Sequence, residues 1–348
     1  MRENPYYRGE RTDHFDGRRF FNPTAEADPT FADVLRWRFE KRERAPWPSR
    51  VAPPPPDKPP NRVFGASLRL SYIGHASFLL QGFGLNILFD PVWSQRASPL
   101  AFAGPKRLLA AGVAFDDLPP IDAVLVTHNH YDHMDLPFLS RLARKCAPKI
   151  IVPLGNDTIL RAADSSLRAE ARDWGGIVEL SPDISVRLEP AYHWSARGLH
   201  DRRMALWASF SIRTPAGTVY CVGDTAYRDG AIFRAARKDN PDIRLALLPI
   251  GAYDPDWFMR RHHVAPEEAV RIFLDLGAQA AFAHHWGVFR LTDEKRDEPP
   301  ERLARALERA AIRPELFVAL PPGSVRRYDL AARTFSSESE ADSLEENA

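Results

Sequence analysis

From Ser67 to Gly287 the chain is a succession of short apolar stretches cut by Gly, Pro, Asp and His. They read LRLSYIG, ASFLLQG, LNILFD, AVLVTH, IIVPLG, SVRLEPAYH, LWASFSIRT, TVYCVGD, LALLPIG and AAFAHHWG. Stretches of this length and composition form strands, because β-branched and aromatic side chains fit a pleated surface and the flanking residues fit turns. Helical periodicity alternates with them later in each half, at roughly 136–146, 156–164, 230–238, 265–276 and 299–310. The clearest helix, VAPEEAVRIFLDLGA, carries Pro266 in its first turn, Glu267 and Glu268 at its positive end and Gly277 as a stop. Strands crowded early and mixed with helices later predict an α/β (α+β) fold of two sheets packed face to face, with helices outside.

The flanks have a different texture. Residues 1–60 are rich in Arg, Phe and Pro and close with VAPPPPDKPP, which suits an extended polyproline II strap. Within them, DPTFADVLRWRFEKRER places Phe31, Val34, Leu35, Arg38 and Phe39 near one helical face, starting at Asp28 and Pro29. Arg36, Lys41, Arg42 and Arg44 form a basic opposite face, so the helix either packs on its own domain or lies on an anionic membrane surface. The reading is an N-terminal arm over 1–60, a folded domain over 61–332 and a disordered acidic, Ser-rich tail over 333–348. Lys plus Arg (47) balance Asp plus Glu (46), which leaves no basic field for nucleic acid. Two cysteines, Cys146 and Cys221, exclude a disulfide framework. The charged start MRENPYYRGERTDHFDGRRFF lacks the apolar core of a signal peptide, and no apolar run nears the ~18 residues of a membrane span. A soluble cytoplasmic protein is expected, peripheral at the membrane if the basic helix binds lipid. Nothing in the sequence specifies an oligomeric state.

The chemistry concentrates in VTHNHYDHMD, where the strand AVLV ends just before a helix start. Alternation lets His128 and His130 project to one side, while Asp132 and His133 turn toward a second point. Imidazole nitrogen and carboxylate oxygen suit zinc, and mixed sites also take iron or manganese. Each ion needs three or four ligands, so more must arrive from other strand ends. His193 ends RLEPAYH, Asp224 ends TVYCVGD with two oxygens able to bridge two ions, and His284–His285 end AAFAHH.

The order His-x-His-x-Asp-His, then His, Gly-Asp and His, resembles the metallo-β-lactamase superfamily, whose fold is a four-layer αββα sandwich with a two-metal site at the sheet edges. YIGHASFLL, FDPVWSQRASP, GPKR, LPPIDAVLVTHNHYDHMD, VPLG, GDTAY, LPIGAYDPDWFM, HVAPEEAVRI and HWGVF narrow the resemblance to its N-acylphosphatidylethanolamine-hydrolysing phospholipase D branch. The likeness covers about residues 62–295, and the arm shares only RRFFNP. It implies two divalent ions, zinc by this reading, with His128, His130 and His193 on one, Asp132, His133 and His285 on the other, and Asp224 bridging. It selects His285 over His284, since neighbours on a strand face opposite ways. A hydroxide between the ions would attack phosphorus or a carbonyl. Asp132 and His263 are the candidate catalytic residues, the latter from RRHHVAPEE, where it would bind a phosphate oxygen or protonate the leaving alcohol. His75 in IGHAS and Asp90 at a strand end are expected to orient ligands, and Lys106 and Arg107 of AGPKR to face the cleft from a loop. Met134 and Asp135 replace the Gly pair typical of thioester-cleaving members.

The leading expectation is a phosphodiesterase acting on a phospholipid or another small phosphodiester. The rivals are a lactonase of a phosphorylated sugar, a nuclease, and a non-catalytic membrane-associated metal protein. A long apolar groove bordered by the arm favours lipid, and a small polar pocket favours the lactone. The charge balance disfavours the nuclease.

Overall fold

The computed structural model describes residues 3–23, 30–40, 46–52, 55–240 and 242–331. Lys41, Arg42 and Arg44, the expected helix start at Asp28–Pro29, Pro53 and Pro54 of the strap, residue 332 and the acidic tail over 333–348 lie outside the described residues, as do the side chains of Phe31 and Arg38.

The first sheet comprises β1 (Ser67–Gly74), β2 (Ser77–Gly82), β3 (Leu85–Phe89), β4 (Ala123–Leu125), β5 (Lys149–Pro153) and β6 (Ala169–Arg172). The second comprises β7 (Ile177–Ser181), β8 (Ile184–Glu189), β9 (Ser209–Thr214), β10 (Gly217–Cys221), β11 (Ile243–Pro249), β12 (Ala280–His284) and β13 (Phe317–Val318). A last strand, β14 (Val325–Asp329), returns to the free edge of β1, so the orders are β14-β1-β2-β3-β4-β5-β6 and β13-β12-β11-β10-β9-β8-β7. Pairing is antiparallel through β14-β1-β2-β3 and β7-β8-β9-β10, then parallel through β3-β4-β5-β6 and β10-β11-β12-β13. Parallel neighbours need crossovers, which carry α-helices everywhere except between β3 and β4, where the loop 90–122 holds only the 3-10 turn Phe115–Asp117. In chain order the helices are α1 (Phe31–Phe39) in the arm, α2 (Leu136–Cys146), α3 (Asn156–Ala163), α4 (Ala231–Asp239), the short α5 (Asp256–Met259), α6 (Pro266–Leu276) and α7 (Glu298–Arg309).

Alternation along each strand builds the layers. Ile87 and Phe89 of β3 point into the core between the sheets, where they join Val186, Phe210, Leu245, Leu247 and Phe282. Leu88 points the other way, to Phe138, Leu142 and Leu160 of α2 and α3. On β11, Leu245 and Leu247 face the inter-sheet core, while Ala246 and Leu248 face Phe233, Val270, Phe273 and Leu303 of α4, α6 and α7. The result is the αββα sandwich that the sequence predicts. Cys146 and Cys221 are both free. No helix among the described residues is long and apolar enough to cross a membrane.

The arm is knitted into the domain. Phe15 and Phe20 are fully buried in a cluster with Ala191, Leu206 and Trp207. Asn4 donates to the Arg18 and Met204 carbonyls at 2.7 and 2.9 Å, and Phe20 N–H donates to the Arg203 carbonyl at 2.8 Å. Helix α1 starts at Thr30, whose hydroxyl accepts from Asp33 N–H at 3.2 Å while Asp33 accepts from Thr30 N–H at 2.7 Å, a reciprocal cap. Its contact face differs from the expected one. Val34 and Leu35 are 39% exposed and Phe39 77%, whereas Trp37 stacks on Phe258 at 5.1 Å and donates from Nε1 to Asp293 at 3.0 Å. The indole offers a large contact area together with a donor that needs a partner, so Trp37 docks where Leu35 and Phe39 stay exposed.

Candidate active site

Strand ends of both sheets meet along one edge of the sandwich, where loops after parallel strands gather functional side chains. The first group has three imidazoles. His128 Nε2 lies 2.9 Å from His130 Nδ1, and His193 Nε2 lies 3.2 Å from that same nitrogen. Zinc–nitrogen bonds of about 2.0–2.1 Å place tetrahedral ligands about 3.3 Å apart, so the spacing is that of a coordination shell. In the second group, Asp132 Oδ2 lies 3.6 Å from His133 Nε2 and 3.5 Å from His285 Nε2.

Asp224 stands between the groups. Its Oδ2 lies 3.6 Å from His193 Nε2 and 3.9 Å from His128 Nε2. Its Oδ1 lies 3.4 Å from His133 Nε2 and 3.0 Å from His285 Nε2. One oxygen thus faces each group. Asp224 Oδ1, His133 Nε2 and His285 Nε2 are buried without a hydrogen-bond partner. Buried polar atoms of this kind are normally satisfied, and a cation satisfies all three at once. Two four-residue clusters, His128–His130–His193–Asp224 and His75–Asp132–His133–His285, are each compact enough to hold an ion.

Hydrogen bonds behind the groups set the tautomers. Thr127 Oγ1 donates to Asp90 Oδ2 at 2.6 Å, so its oxygen is left to accept from His128 Nδ1 at 2.9 Å, which turns the Nε2 lone pair inward. His133 Nδ1 donates to Asp90 Oδ2 at 2.6 Å, and Thr127 N–H to Asp90 Oδ1 at 2.7 Å. His193 Nδ1 donates to the His262 carbonyl at 3.0 Å, and His75 Nε2 to Asp132 Oδ2 at 2.9 Å. His284 turns away and donates from Nε2 to the Val222 carbonyl at 2.8 Å. His75, Asp90 and His285 adopt positive φ of 60°, 39° and 64°. Such conformations cost about 1–3 kcal/mol each and persist where surrounding contacts hold them. Gly223 is required by the same packing, because a Cβ there would meet Thr127 Oγ1 at 2.4 Å.

Burial, reinforced by neighbouring imidazoles, pushes His128 and His193 well below the ordinary histidine range and takes His130 down to about 4. These rings are neutral, the form that binds metal. Burial pushes His75 down to about 3. At His133 and His285 burial acts downward too, but surrounding carboxylates, Asp224 first, outweigh it; His133 rises well above its usual range and His285 to about 9. Burial acts to raise Asp132 and Asp224, yet the adjacent imidazoles hold both well below the carboxylate range. The carboxylates around His133 and His285 favour positive charge at this place, the charge that a divalent ion would supply.

A cavity of about 420 Å³ opens over His130, Asp132 and Asp224. Its wall is largely apolar, with Val34 and Trp37 of α1 joining Trp194, Phe258, Met259 and Leu291. His262 and His263 also line it, and His263 Nδ1 points at Asp224 Oδ2 from 3.7 Å. Burial takes His263 down to about 4. Lys106 and Arg107 are not brought to this cavity. Lys106 is exposed on its loop, and Arg107 is only 5% exposed, donating to the Val92 and Ser94 carbonyls at 2.6 and 3.3 Å. The loop from Asp90 folds back onto the sandwich because Asp135 accepts from Trp93 and Ser94 N–H at 2.9 and 2.7 Å, which draws Arg107 beneath it.

Residues of the site that were not singled out from the sequence include Asn22, Thr127, His262 and the cavity-lining Trp37, Trp194, Phe258, Met259 and Leu291. Asn22 donates to the His193 carbonyl at 3.0 Å and accepts from Trp207 Nε1 at 3.2 Å. Its signal was the shared RRFFNP, and those of Thr127 and His262 were their positions beside His128 and His263.

Residues 85–286 match the model of the beta-lactamase superfamily domain. An N-acyl-phosphatidylethanolamine-hydrolyzing phospholipase D 1 of Caenorhabditis elegans is 33% identical over 271 residues, 75% of this chain and 76% of that protein. An uncharacterized protein of Mycobacterium tuberculosis is 38% identical over 281 residues, 79% of this chain and 73% of that one. Among solved structures, a metallo hydrolase from Ignicoccus hospitalis superposes with a TM-score of 0.55 at 20% identity, covering 75% of this chain and 98% of that one.

Proposed function

Since the chain belongs to the metallo-β-lactamase superfamily of metal-dependent hydrolases, we propose that it is a two-metal phosphodiesterase of phospholipase D type, acting on N-acylphosphatidylethanolamine-like or related lipid phosphodiesters. The observation that carries the substrate class is the cavity wall. An apolar chamber roofed by an N-terminal helix suits acyl chains and excludes water, whereas a phosphorylated sugar lactone calls for a small polar pocket.

His128, His130 and His193 would hold one ion, Asp132, His133 and His285 the other, and Asp224 both. When bound, divalent ions, zinc by the donor set, supply Lewis acidity and a water of lowered pKa. The chain does the rest. Asp90, Thr127 and the His262 carbonyl hold the ligand rings in one tautomer and orientation. His263, neutral at physiological pH, donates an N–H to a phosphoryl oxygen rather than acting as a resident acid. Trp37, Phe258 and Leu291 seat the lipid.

Delivery to a lipid surface fits the same reading. Phe39 of α1, Phe102 in the loop after the cavity residue Ala97, and Leu199 are 77%, 78% and 95% exposed. Such side chains insert into headgroup regions. The test is turnover of purified, metal-quantified protein against a panel of lipid phosphodiesters, soluble phosphodiesters and lactones. Phosphodiester cleavage with a preference for acylated substrates is expected. Lactone turnover without phosphodiester cleavage would overturn the proposal.

A further inference from the structure

Beside the catalytic cavity lies a second one, of about 500 Å³, lined by Arg18, Arg19, Leu199, His200 and Arg202. Arg202 lines both, so the two share a wall. The basin is assembled from segments some 180 residues apart in sequence, the arm and the loop after His193, and both backbones are fixed there. Asn4 clamps the Arg18 and Met204 carbonyls, and Phe20 N–H donates to the Arg203 carbonyl. Arg202 is further held with its guanidinium 3.9 Å over the Trp194 ring.

Three guanidiniums and an imidazole line the basin, and no acid is among its described lining residues. The nearest carboxylates in sequence serve their own turns. Asp16 accepts from Arg18 and Arg19 N–H at 2.8 and 2.7 Å. Asp201 accepts from Tyr6 Oη at 2.9 Å and from Gly198 N–H at 2.8 Å. Arg18 Nε and Arg19 Nε are buried atoms without a hydrogen-bond partner. Like charges gathered in a concave surface, with the Arg18 and Arg19 Nε donors unused, form a receptor for a polyoxygen anion, which guanidinium geometry matches.

We propose that this basin is a second anion subsite, taking a phosphate-type group beside the reaction centre. The group is either a further phosphate carried by the substrate or free inorganic phosphate. This inference does not rest on the phosphodiesterase reading, because binding is measured without turnover.

The experiment compares the full-length protein with R18Q/R19Q and with R18K/R19K. Inorganic phosphate is titrated calorimetrically with chelator present and chloride holding ionic strength constant, and melting temperature monitors the fold. Phosphate is expected to bind the parent, about tenfold or more weakly to R18Q/R19Q, and in between to R18K/R19K, at unchanged melting temperature. In a second arm, KM is measured on metal-loaded protein for two soluble phosphodiesters that differ by one remote phosphate. A rise in KM for the extra-phosphate probe alone, with kcat unchanged, assigns the subsite to substrate. Unchanged KM for both, with phosphate binding lost, assigns it to free phosphate. Equal phosphate affinity in parent and R18Q/R19Q, or none in either, overturns the proposal. A protein that binds phosphate in the basin yet cleaves no phosphodiester refutes the proposed function and leaves the subsite standing.

Discussion

Replacing Asp90 by Asn should weaken the second metal group selectively. Three donors converge on this buried carboxylate: His133 Nδ1 and Thr127 Oγ1 on Oδ2, both at 2.6 Å, and Thr127 N–H on Oδ1 at 2.7 Å. An Asn side chain has one acceptor oxygen. Its better orientation keeps that oxygen toward His133 and Thr127 Oγ1 and turns the amide NH₂ against Thr127 N–H. One charge-assisted hydrogen bond is then lost, roughly 1.5–3 kcal/mol, and the bond that orients His133 is weakened. Removing such a partner typically lowers metal affinity about 10–100-fold, equivalent to about 1.4–2.7 kcal/mol. The loss should fall mainly on the ion held by Asp132, His133 and His285, because His128 keeps its Thr127 contact. Competition against a chromophoric chelator resolves two binding steps and gives both constants, while thermal melts without metal report the lost hydrogen bond. If Asp90→Asn binds both ions with the parent's constants, Asp90 does not orient a ligand.

Further outcomes are expected. Elemental analysis after reloading should find two ions per chain, and a ceiling of one would count against the paired groups facing Asp224. Asp224→Asn should lower turnover by orders of magnitude at comparable metal content with the fold retained, since one oxygen of the bridge becomes an amide. Deleting residues 1–44 removes Phe15 and Phe20, and a buried Phe is worth about 3–5 kcal/mol, so the melting temperature should fall steeply. The cleaner probe of lipid contact is therefore Phe39→Ser, which should weaken vesicle binding without shifting the melt; unchanged binding would retire α1 as a membrane contact. His14 is held above its ordinary pKa, chiefly by its hydrogen bond to Asp173, against a smaller opposing effect of burial. A raised folded pKa gives stabilisation that is complete below about 6.5 and is lost as pH rises through the folded value. The arm should accordingly resist proteolysis better at pH 6 than at pH 8, and His14→Ala should abolish that difference.

The central strands and the clustered His and Asp residues were legible because each depends on a local pattern. Buried strands announce themselves by apolar composition, and the candidate ligands sit where those runs end. Among the described residues four strands escaped and all are edges: β6 (AEAR) and β14 (VRRYD, with two arginines) in the first sheet, and β7 (IVELS) and β13 (FV) in the second. A strand with one neighbour and a solvated face carries no apolar run. Lys106 and Arg107 were misplaced for a different reason. Their loop is drawn inward by Asp135, a contact of 41 and 42 residues' separation that adjacent sequence does not encode. The face of α1 was misread because an amphipathic stripe ranks residues by hydropathy, whereas Trp37 docks by area and a hydrogen bond to Asp293.

The arm's reach into the site changes what the chain's organisation means. His193 is fixed from two sides, by Asn22 on its carbonyl and by the His262 carbonyl on its Nδ1. The segments that supply those contacts also build the ligand-facing walls: Arg18 and Arg19 lie just before Asn22, and His262 and His263 line the cavity. Substituting Asn22 would therefore release the His193 carbonyl and disturb a candidate metal ligand, whereas the Arg18 and Arg19 side chains face the basin and make no hydrogen bond to His193. Asn22 thus belongs with the catalytic architecture, although it precedes the first strand of the sandwich and lies in RRFFNP, the only stretch the arm shares with the branch this chain resembles.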